Sequence, residues 1–544
     1  MNSIGINQAF FGRTQYLDLL KRRVIDLKEG YRQNIAFLGS CYVGKSTLIH
    51  YFLANLDEPD VVPIYLDLEN KELPYFFFKF TGTLLYNFSK IKNLPLHDDL
   101  NLLIESTKGI IPHTIDVIQK IRTDLTKGKN IDTFSGLLTL PEVFTNETGK
   151  SCILIFDEFQ NLEEFAIADV FQYLGKKIMT QKRCFYILTS SYPVEAKKIL
   201  AEKLSLLFGN FEIMMVEAFD LQASQQFIEQ SLVDKRIGAQ LKSFLTDFTG
   251  GHPLYLNLIC QEVLNLSAIH VQNEIYMPIL SQAVENTIFN RWGVISRHFE
   301  LIVCDLCTGK GGRIVTEILI ALSNGQHKTD ELLSSIGVKK TQITQRLNRL
   351  LELGVIVKNG TFYYLKDKLF KYWVKYVYQK RLKDVELAPD KQRRQFKDEF
   401  NACVEIFKVS SRKDFPARIM ELLHCFDNEA FNLNGRKYKL PLFQEIVSLK
   451  LKSETGRDLD IIKAKTTGSE WFMVTKKENL GESDINLILA ESKRAARKPE
   501  RCVMISLSTI DENARLKALQ ERFWIWNENE LNTLLTLFDK PHIL

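Results

Sequence analysis

Nine consecutive residues near the N-terminus have the types and spacing of a phosphate-binding loop. They fit the pattern G-x-x-x-x-G-K-S/T and run Gly39, Ser40, Cys41, Tyr42, Val43, Gly44, Lys45, Ser46 and Thr47. The glycines would let backbone N–H groups surround phosphate oxygens, and the lysine would contact the outer phosphates. The Ser46 hydroxyl is a predicted Mg²⁺ ligand. The pattern therefore predicts a site for a nucleotide with Mg²⁺, and the alternative is a glycine loop that arose by chance.

A pair of acidic residues predicts the catalytic half of the same site. Asp157 and Glu158 follow Ile153 to Phe156, an apolar run typical of a strand covered on both faces in a parallel sheet. Ligands bind where such strands end. Asp157 is therefore a predicted Mg²⁺ ligand, and Glu158 is predicted to orient and deprotonate an attacking water. The alternative is an acidic strand end that caps the next helix.

A polar run supplies a third candidate. Cys184 to Thr189 favours a strand, and Ser190 and Ser191 follow at its end. Ser190 is predicted to sense the terminal phosphate or to position the water. The alternative is a helix cap, with Ser191 just ahead of Pro193.

Strand and helix patterns predict the elements that must position these residues. Asn34 to Leu38 favours the strand before the loop, Ser46 to Leu56 the helix after it, and Val61 to Leu66 a further strand. This alternation predicts a parallel α/β domain over residues 1–219. Residues 220–300 lose strand character and predict a helical lid.

The composition limits the class of protein. The chain has 544 residues, 45% apolar and 25% charged, which is typical of a soluble protein with several domains. A net charge of +5 permits contact with nucleic acid without requiring it. No run of about 18 apolar residues occurs, so no membrane span is expected. Nine scattered cysteines and an N-terminus without a secretory pattern predict a cytoplasmic location.

Residues 311–366 have the layout of a winged helix, inside a predicted domain over 301–378. Helices are predicted at Val315–Leu322, Thr329–Ser335 and Lys340–Leu353, followed by a hairpin around Asn359 and Gly360. The third helix would enter the major groove of double-stranded DNA. Its predicted DNA contacts are Lys340, Gln345, Arg346 and Arg349. The alternative is a basic face that is only solvated, or a domain that packs on the nucleotide-binding domain as a lid.

The remainder predicts a linker and a last domain. Residues 379–395 are charged and poorly periodic, as is typical of a linker. Residues 396–544 predict a mixed α/β domain. Its predicted elements are a helix at Arg418–Phe426 and strands at Leu459–Lys463, Trp471–Val474, Cys502–Leu507 and Phe523–Trp526.

These segments together resemble the archaeal-type ATPases of the STAND branch of AAA+ P-loop proteins, which relate to origin-recognition ATPases. Phe11-Gly12-Arg13 resembles the entry motif of that family, and Gly251-His252-Pro253 resembles its lid motif. The resemblance implies ATP and Mg²⁺ as ligands, with Arg13 and Pro253 beside the nucleotide.

One departure from the family pattern concerns the rate. The family often has an arginine after the strand that ends near Ser190, and Asn210 stands in that context here. An arginine at such a site can raise hydrolysis about 10³- to 10⁵-fold. The resemblance therefore implies a slow ATPase or a switch.

Residues 396–544 resemble the restriction-endonuclease-like module of the same family. That module has a helix Glu, a strand Asp and an acid-x-Lys pair around Mg²⁺. Glu421, Asp460 and Lys477 match these positions, whereas Thr475 replaces the acid of the acid-x-Lys pair. The missing carboxylate favours an inactive nuclease fold.

These expectations combine into a slow, nucleotide-dependent ATPase switch. It would contact double-stranded DNA through the winged helix and the C-terminal domain. One alternative is an ATP-gated, Mg²⁺-dependent nuclease. The other is an ATP-bound scaffold for a protein partner or for self-association.

Overall fold

The computed structural model describes residues 10–69, 72–204, 211–309, 311–383, 389–433, 435–452, 458–476, 481–494, 499–507 and 510–542. The chain divides into two compact units. One is Met1–Ala218 with Glu352–Gly354, and the other is Phe219–Leu351 with Val355–Leu544. No helix in the described ranges is long and apolar enough to cross a membrane.

A five-stranded parallel sheet is the centre of the first unit. Its strands β1 to β5 are Asn34–Leu38, Val61–Asp67, Ser151–Asp157, Cys184–Ser190 and Phe211–Met215. They lie in the order β2-β3-β4-β1-β5, and every neighbouring pair is parallel. This is the mixed α/β arrangement of a P-loop nucleotide-binding protein, as the sequence predicts. The carboxyl ends of β1, β3 and β4 therefore meet at one edge.

Helices cover both faces of this sheet. Helices α1 to α8 are Thr14–Lys28, Lys45–Ala54, Leu73–Ile91, Leu100–Lys108, Pro112–Thr126, Asn130–Thr148, Val170–Thr180 and Pro193–Lys198. One face packs on α1 and α2 through Phe37, Ile155 and Ile187. The other packs on α3 to α7 through Ala36, Phe156 and Leu188. Alternate residues of each strand therefore serve different layers.

The four helices α3 to α6 form an insertion between β2 and β3 that the sequence patterns did not predict. Their buried aromatic residues pack on the sheet and on one another, with Phe76 against Phe134 and Phe156, and Phe88 against Phe144. Burial of an aromatic side chain removes about 150–250 Å² of surface from water. The apolar run at the start of α3 is thus core of the first unit.

The second unit begins as a helical region. Helices α9 to α19 are Leu221–Ser231, Ala239–Thr249, Pro253–Ile269, Met277–Val284, Val294–Cys307, Gly312–Ser323, Thr329–Ile336, Lys340–Glu352, Lys368–Trp373, Gln379–Lys383 and Pro389–Arg412. Two-residue strands β6 (Arg236–Ile237) and β7 (Glu274–Ile275) pair in parallel. Strands β8 (Ile356–Asn359) and β9 (Phe362–Leu365) form an antiparallel hairpin.

A second sheet lies in the last 130 residues or so of the chain. Strands β10 (Ala430–Leu433) and β11 (Arg436–Lys439) form a small hairpin. Strands β12 to β16 lie in sequence order across a five-stranded sheet and are Glu445–Lys452, Asp458–Lys465, Glu470–Lys476, Arg501–Ser506 and Trp524–Trp526. Strands β12 to β14 are antiparallel, and β14 to β16 are parallel. Helices α20 to α23 are Phe415–Leu423, Glu482–Arg494, Glu512–Gln520 and Glu528–Leu537.

The structure corrects the interpretation of residues 379–395 as a linker. Helix α18 occupies the start of this range, and α19 begins at Pro389 and continues to Arg412. Phe396 and Phe400 of α19 are buried, and Phe400 packs against Phe244 of α10. Apolar residues beyond the charged stretch thus belong to a helix that begins inside it, at Pro389. The division into five domains otherwise stays a prediction.

Candidate functional site

The predicted phosphate-binding loop connects β1 to α2. A Cβ atom on Gly39 would overlap the carbonyl oxygen of Val216, so only glycine lets the two backbones approach this closely. Gly44 has φ +97°, a left-handed conformation that favours glycine, and it precedes the first turn of α2. Ser46 and Thr47 lie in that first turn, where N–H groups have no acceptor within the helix. The loop therefore has the geometry of an anion cradle.

Lys45 is almost fully buried, with 3% of its surface exposed. Its ammonium donates to the carbonyl oxygens of Gly39 and Ser40 at 3.1 and 3.0 Å. It also donates to the Ser191 hydroxyl at 2.9 Å. The charge of Lys45 therefore lies in the bend of the loop and reaches the end of β4.

Asp157 is buried at the end of β3 between two hydroxyl donors. Tyr65 of β2 donates to Asp157 Oδ2 at 2.5 Å, and Thr189 of β4 donates to Oδ1. Burial, reinforced by the neighbouring Asp157, raises the pKa of Tyr65 far above its usual value. Tyr65 thus keeps its proton and remains a donor. Both neighbouring strands fix the orientation of this carboxylate.

Glu158 has a left-handed backbone (φ +57°), which is uncommon outside glycine and costs about 1–3 kcal/mol. Its carboxylate accepts from the Ser191 N–H at 2.8 Å and from the Ser191 hydroxyl. Gln160 Nε2 also donates to it, at 2.8 Å. The backbone N–H of Glu158 donates to Thr189 Oγ1 at 3.2 Å. Strand β4 thus fixes both the main chain and the side chain of Glu158.

The structure places Thr189 and Ser191, rather than Ser190, in contact with the acidic pair, and the role of Ser190 stays a prediction. Ser190 Oγ accepts from the Tyr192 N–H at 3.0 Å, and no described contact joins this hydroxyl to Lys45, Asp157 or Glu158. Alternate residues of a strand point to opposite faces, so Ser190 faces the α3 to α7 layer, as Leu188 does. Thr189 has the opposite orientation and, with Ser191 just beyond the strand, contacts the acidic pair. Strand alternation relative to Ile187 is the signal that could have identified them.

Two acidic residues that were not predicted as site residues lie near the site, Asp67 at the end of β2 and Glu69 just after it. Asp67 is the register partner of Asp157, and Asp67 Oδ1 accepts from the Glu69 N–H at 2.9 Å. Partial burial raises the pKa of Glu69, and the charges of Asp67, Asp157 and Glu158 add to the effect. This edge of the sheet therefore has a negative potential that would stabilise a cation. Among the described residues, no three His, Cys, Asp or Glu side chains form a preassembled metal site.

Arg13 connects the segment before α1 to the loop. It has a left-handed backbone (φ +61°) and donates to the carbonyl oxygens of Val43, at 3.3 Å, and Glu217.

Cys41 is half-buried in the loop, and burial raises the pKa of its thiol although Ser191 and Lys45 oppose the shift. Cys41 is therefore held as a neutral thiol beside the lysine. Tyr42 is exposed.

Pro253, the predicted lid residue, begins α11 in the second unit. Two residues earlier, Gly251 has φ +69°, and a Cβ atom there would overlap the carbonyl oxygen of Phe219. The Phe219 N–H donates to Gly251 O at 2.9 Å. The Gly-His-Pro segment thus has a structural role inside the second unit, and its role at a nucleotide stays a prediction.

The predicted DNA-contacting residues all lie on α16 and differ in exposure. Ile343, Leu347 and Leu350 form its buried face. Lys340, Gln345 and Arg349 are exposed, and Arg346 is half-buried with its guanidinium beside Gly311.

The tip of the β8–β9 hairpin packs on β10. Asn359 and Asn432 exchange hydrogen bonds of 3.0 and 2.6 Å. A Cβ atom on Gly360 would overlap the carbonyl oxygen of Ala430. The hairpin tip is thus packed against β10, whereas Lys340 and Arg349 of α16 are exposed.

The predicted nuclease residues do not form an acidic cluster among the described residues. Glu421 on α20 pairs with Lys413. Asp460 on β13 is the register partner of Thr475 on β14, so a hydroxyl stands where the pattern expects a carboxylate. Lys477 lies outside the described residues.

Comparisons with known proteins give distant similarities. No family model matches the chain. An uncharacterized ATP-binding protein of Methanocaldococcus jannaschii is 23% identical over 273 residues, which cover 45% of this chain and 70% of that protein. The Walker-type ATPase of Pyrococcus abyssi is 16% identical, with a TM-score of 0.49 over 67% of this chain and 96% of its own. The ORC2 protein of Aeropyrum pernix is 15% identical, with a TM-score of 0.43, and the match covers 70% of this chain and 98% of that protein. Because both TM-scores lie below 0.5, the P-loop class rests on the strand order and the loop geometry.

Proposed function

We propose that the first unit binds ATP with Mg²⁺ and hydrolyses it, and that the protein works as a slow nucleotide-dependent switch. The observation that carries the proposal is the convergence of Lys45, Asp157, Glu158 and Ser191 beside a loop shaped for phosphate. The similar protein of M. jannaschii is described as ATP-binding, which supports ATP as the nucleotide.

The residues at the loop fit a phosphate chain and a hard cation. The close approach at Gly39 and the helix start at Gly44 suit a backbone cradle, and the first turn of α2 adds a positive dipole. Ser46 and Asp157 supply the oxygen atoms that would hold Mg²⁺, directly or through water. Mg²⁺ would neutralise charge on the β- and γ-phosphates.

Lys45 would bind the phosphates, and Glu158 would act as the general base. The anionic oxygens of a phosphate would attract the Lys45 ammonium more strongly than the uncharged carbonyl and hydroxyl oxygens that it contacts here. Glu158 would accept a proton from the attacking water while Ser191 holds its carboxylate.

The test compares ATP binding with ATP hydrolysis in three proteins. Wild type should bind and hydrolyse ATP, and Lys45→Ala should lose binding. Glu158→Gln keeps the size of the side chain and removes the base, so it should bind ATP and hydrolyse it about 10²- to 10⁴-fold more slowly. Equal turnover by Glu158→Gln and wild type would contradict the role of Glu158. Tight ATP binding without turnover in wild type would favour the scaffold function instead.

The slow rate is proposed from the sequence. Asn210 stands where the resemblance implies an arginine, and it lies outside the described residues. Asn210→Arg should therefore raise turnover. An unchanged rate would remove this explanation for slowness.

We also propose that α16 contacts the phosphates of double-stranded DNA. The exposure of Lys340 and Arg349 supports this proposal. Alanine at either position should weaken DNA binding and reduce its salt dependence by about one counterion. Arg236→Ala, which removes an exposed arginine of β6 outside the predicted winged helix, is the matched control. An equal effect in all three variants would mean that only net charge matters.

A further inference from the structure

Gln160 contacts the side chain of Glu158, the proposed base. It belongs to a 3₁₀ helix, Phe159–Phe165, that follows β3, and 6% of its surface is exposed. The left-handed backbone of Glu158 turns the chain so sharply that the amide of Gln160 returns to the Glu158 carboxylate. The strained turn and the buried glutamine are therefore parts of one arrangement.

The hydrogen bonds fix which way the Gln160 amide points. Nε2 donates to Glu158 Oε2 at 2.8 Å, and a carboxylate oxygen can only accept, so the amide nitrogen must face it. The carbonyl oxygen Oε1 is then buried and has no donor among the described residues. A buried acceptor without a donor costs about 1–3 kcal/mol. An apolar side chain of the same length would avoid that cost, so stability does not explain a glutamine here.

The contacts of Glu158 differ between its two oxygens. Oε2 accepts from two N–H groups, those of Gln160 and Ser191. Oε1 accepts from the Ser191 hydroxyl. Since a carboxylate oxygen has two lone pairs, Oε2 is saturated and Oε1 can accept one more proton. Gln160 thus contributes to selecting the oxygen that can act as a base.

We propose that Gln160 is a positioning residue for ATP hydrolysis, acting through Glu158 by holding Oε2 so that Oε1 faces the attacking water. This inference rests on the proposed function. In this proposal Gln160 lowers the stability of the fold through its unpaired carbonyl oxygen and raises the rate of hydrolysis through Glu158.

Three variants test it. Gln160→Met keeps the length of the side chain and removes both amide atoms. We expect turnover to fall about 10- to 100-fold, because a misplaced base costs rate. ATP affinity should stay unchanged, and the melting temperature should be equal to or higher than that of wild type. Gln181 is the matched control, because it is buried in the same unit with both amide atoms bonded, to Leu138 O and to Tyr186. Gln181→Met should lower the melting temperature and leave turnover within about twofold.

The variant Gln160→Glu tests the role through the pH–rate profile, which a purely structural role of Gln160 would leave unchanged. It would place a second carboxylate against Glu158, and two carboxylates at hydrogen-bond distance share a proton. The acidic limb of the pH–rate profile should therefore move to higher pH by about one unit or more. Rescue of turnover at alkaline pH would support the inference.

The outcomes separate this inference from the proposed function. If wild type hydrolyses ATP, and Gln160→Met keeps full turnover or Gln160→Glu keeps the wild-type pH profile, the role of Gln160 is overturned while the ATPase stands. If Gln160→Met loses stability and ATP binding together, Gln160 is structural. If wild type shows no turnover, the proposed function fails and the role of Gln160 fails with it.

Discussion

The ammonium of Lys45 lies 2.9 Å from the hydroxyl oxygen of Ser191. The same hydroxyl donates to Glu158, so one serine joins the proposed phosphate-binding cation to the proposed base. A ligand that draws Lys45 toward its phosphates would change the hydrogen bonding of Ser191 and hence of Glu158. We therefore expect nucleotide binding to change the hydrogen bonding of the proposed base through this one side chain.

The first prediction concerns Ser191 and Ser190. Ser191→Ala removes one donor to Glu158 and one partner of Lys45, and we expect turnover to fall about 10- to 100-fold. Ser190→Ala removes only the acceptor for the Tyr192 N–H, so the geometry predicts a smaller effect on turnover. Steady-state ATPase assays of both variants check this. If Ser190→Ala loses more turnover than Ser191→Ala, the result would favour the predicted role of Ser190 in sensing the phosphate or positioning the water.

The second prediction concerns the Mg²⁺ requirement. Tyr65→Phe removes only the hydroxyl that donates to Asp157. Groups that orient metal ligands typically contribute about 10- to 100-fold in metal affinity. We therefore expect half-maximal ATPase activity to need about 10-fold more Mg²⁺. A Mg²⁺ titration measures this, and an unchanged midpoint would show that Asp157 needs no support from β2.

The third prediction concerns Gly39. Its missing Cβ leaves space for the carbonyl oxygen of Val216, so Gly39→Ala must displace one of two backbones. We expect a loss of about 2 kcal/mol or more in unfolding free energy, together with weaker ATP binding. Gly82→Ala is the control, because Gly82 lies inside α3 with open space around it. Alanine there should be neutral or stabilise by up to about 1 kcal/mol. Equal melting temperatures for the two variants would contradict the steric explanation.

The fourth prediction concerns acid and the second unit. The pKa of His542 is lowered to about 4, chiefly by burial; the charges of Lys368 and Arg418 act in the same direction, whereas Asp247 opposes the shift. A histidine in an unfolded chain titrates near about 6.5. The unfolded state therefore binds more protons between these values. The stability contribution is complete above about pH 6.5 and is lost as the pH falls toward 4.

Melting temperatures between pH 7.5 and 4.5 test this. His542→Gln should lose less stability than wild type as the pH falls. His270→Gln, at an exposed position, controls for the loss of a histidine. If the melting temperature of His542→Gln falls with pH as steeply as that of wild type, another group is responsible for the loss of stability.

Local sequence patterns were sufficient for the parts of the site that lie close together in the chain. The loop from Gly39 to Thr47 and the strand ending at Asp157 carry their geometry in consecutive residues, because glycine freedom, helix starts and apolar runs are local properties. The strands around them were predicted to within a few residues, and their alternation with helices predicted the parallel sheet. The roles of Lys45, Ser46, Asp157 and Glu158 remain predictions.

Other features needed neighbours that lie far apart in the chain. Tyr65 meets Asp157 only because β2 lies beside β3, and Ser191 meets Lys45 and Glu158 only because β4 lies between β1 and β3. The hydroxyl of Ser190 accepts from the Tyr192 N–H and makes no described contact with Lys45, Asp157 or Glu158, because the face of a strand that meets the loop depends on packing.

The sequence by itself therefore determined the phosphate-binding loop, the acidic strand end and the α/β class. Tertiary structure alone decided the α3 to α6 insertion on the sheet, the contacts of Thr189 and Ser191, and the buried amide of Gln160. The physical reason is that strand order and register bring together residues 33 to 146 positions apart in the chain. Side-chain alternation is a local property, but which of the two faces meets the loop depends on packing, and strand order and register are not encoded in a local pattern.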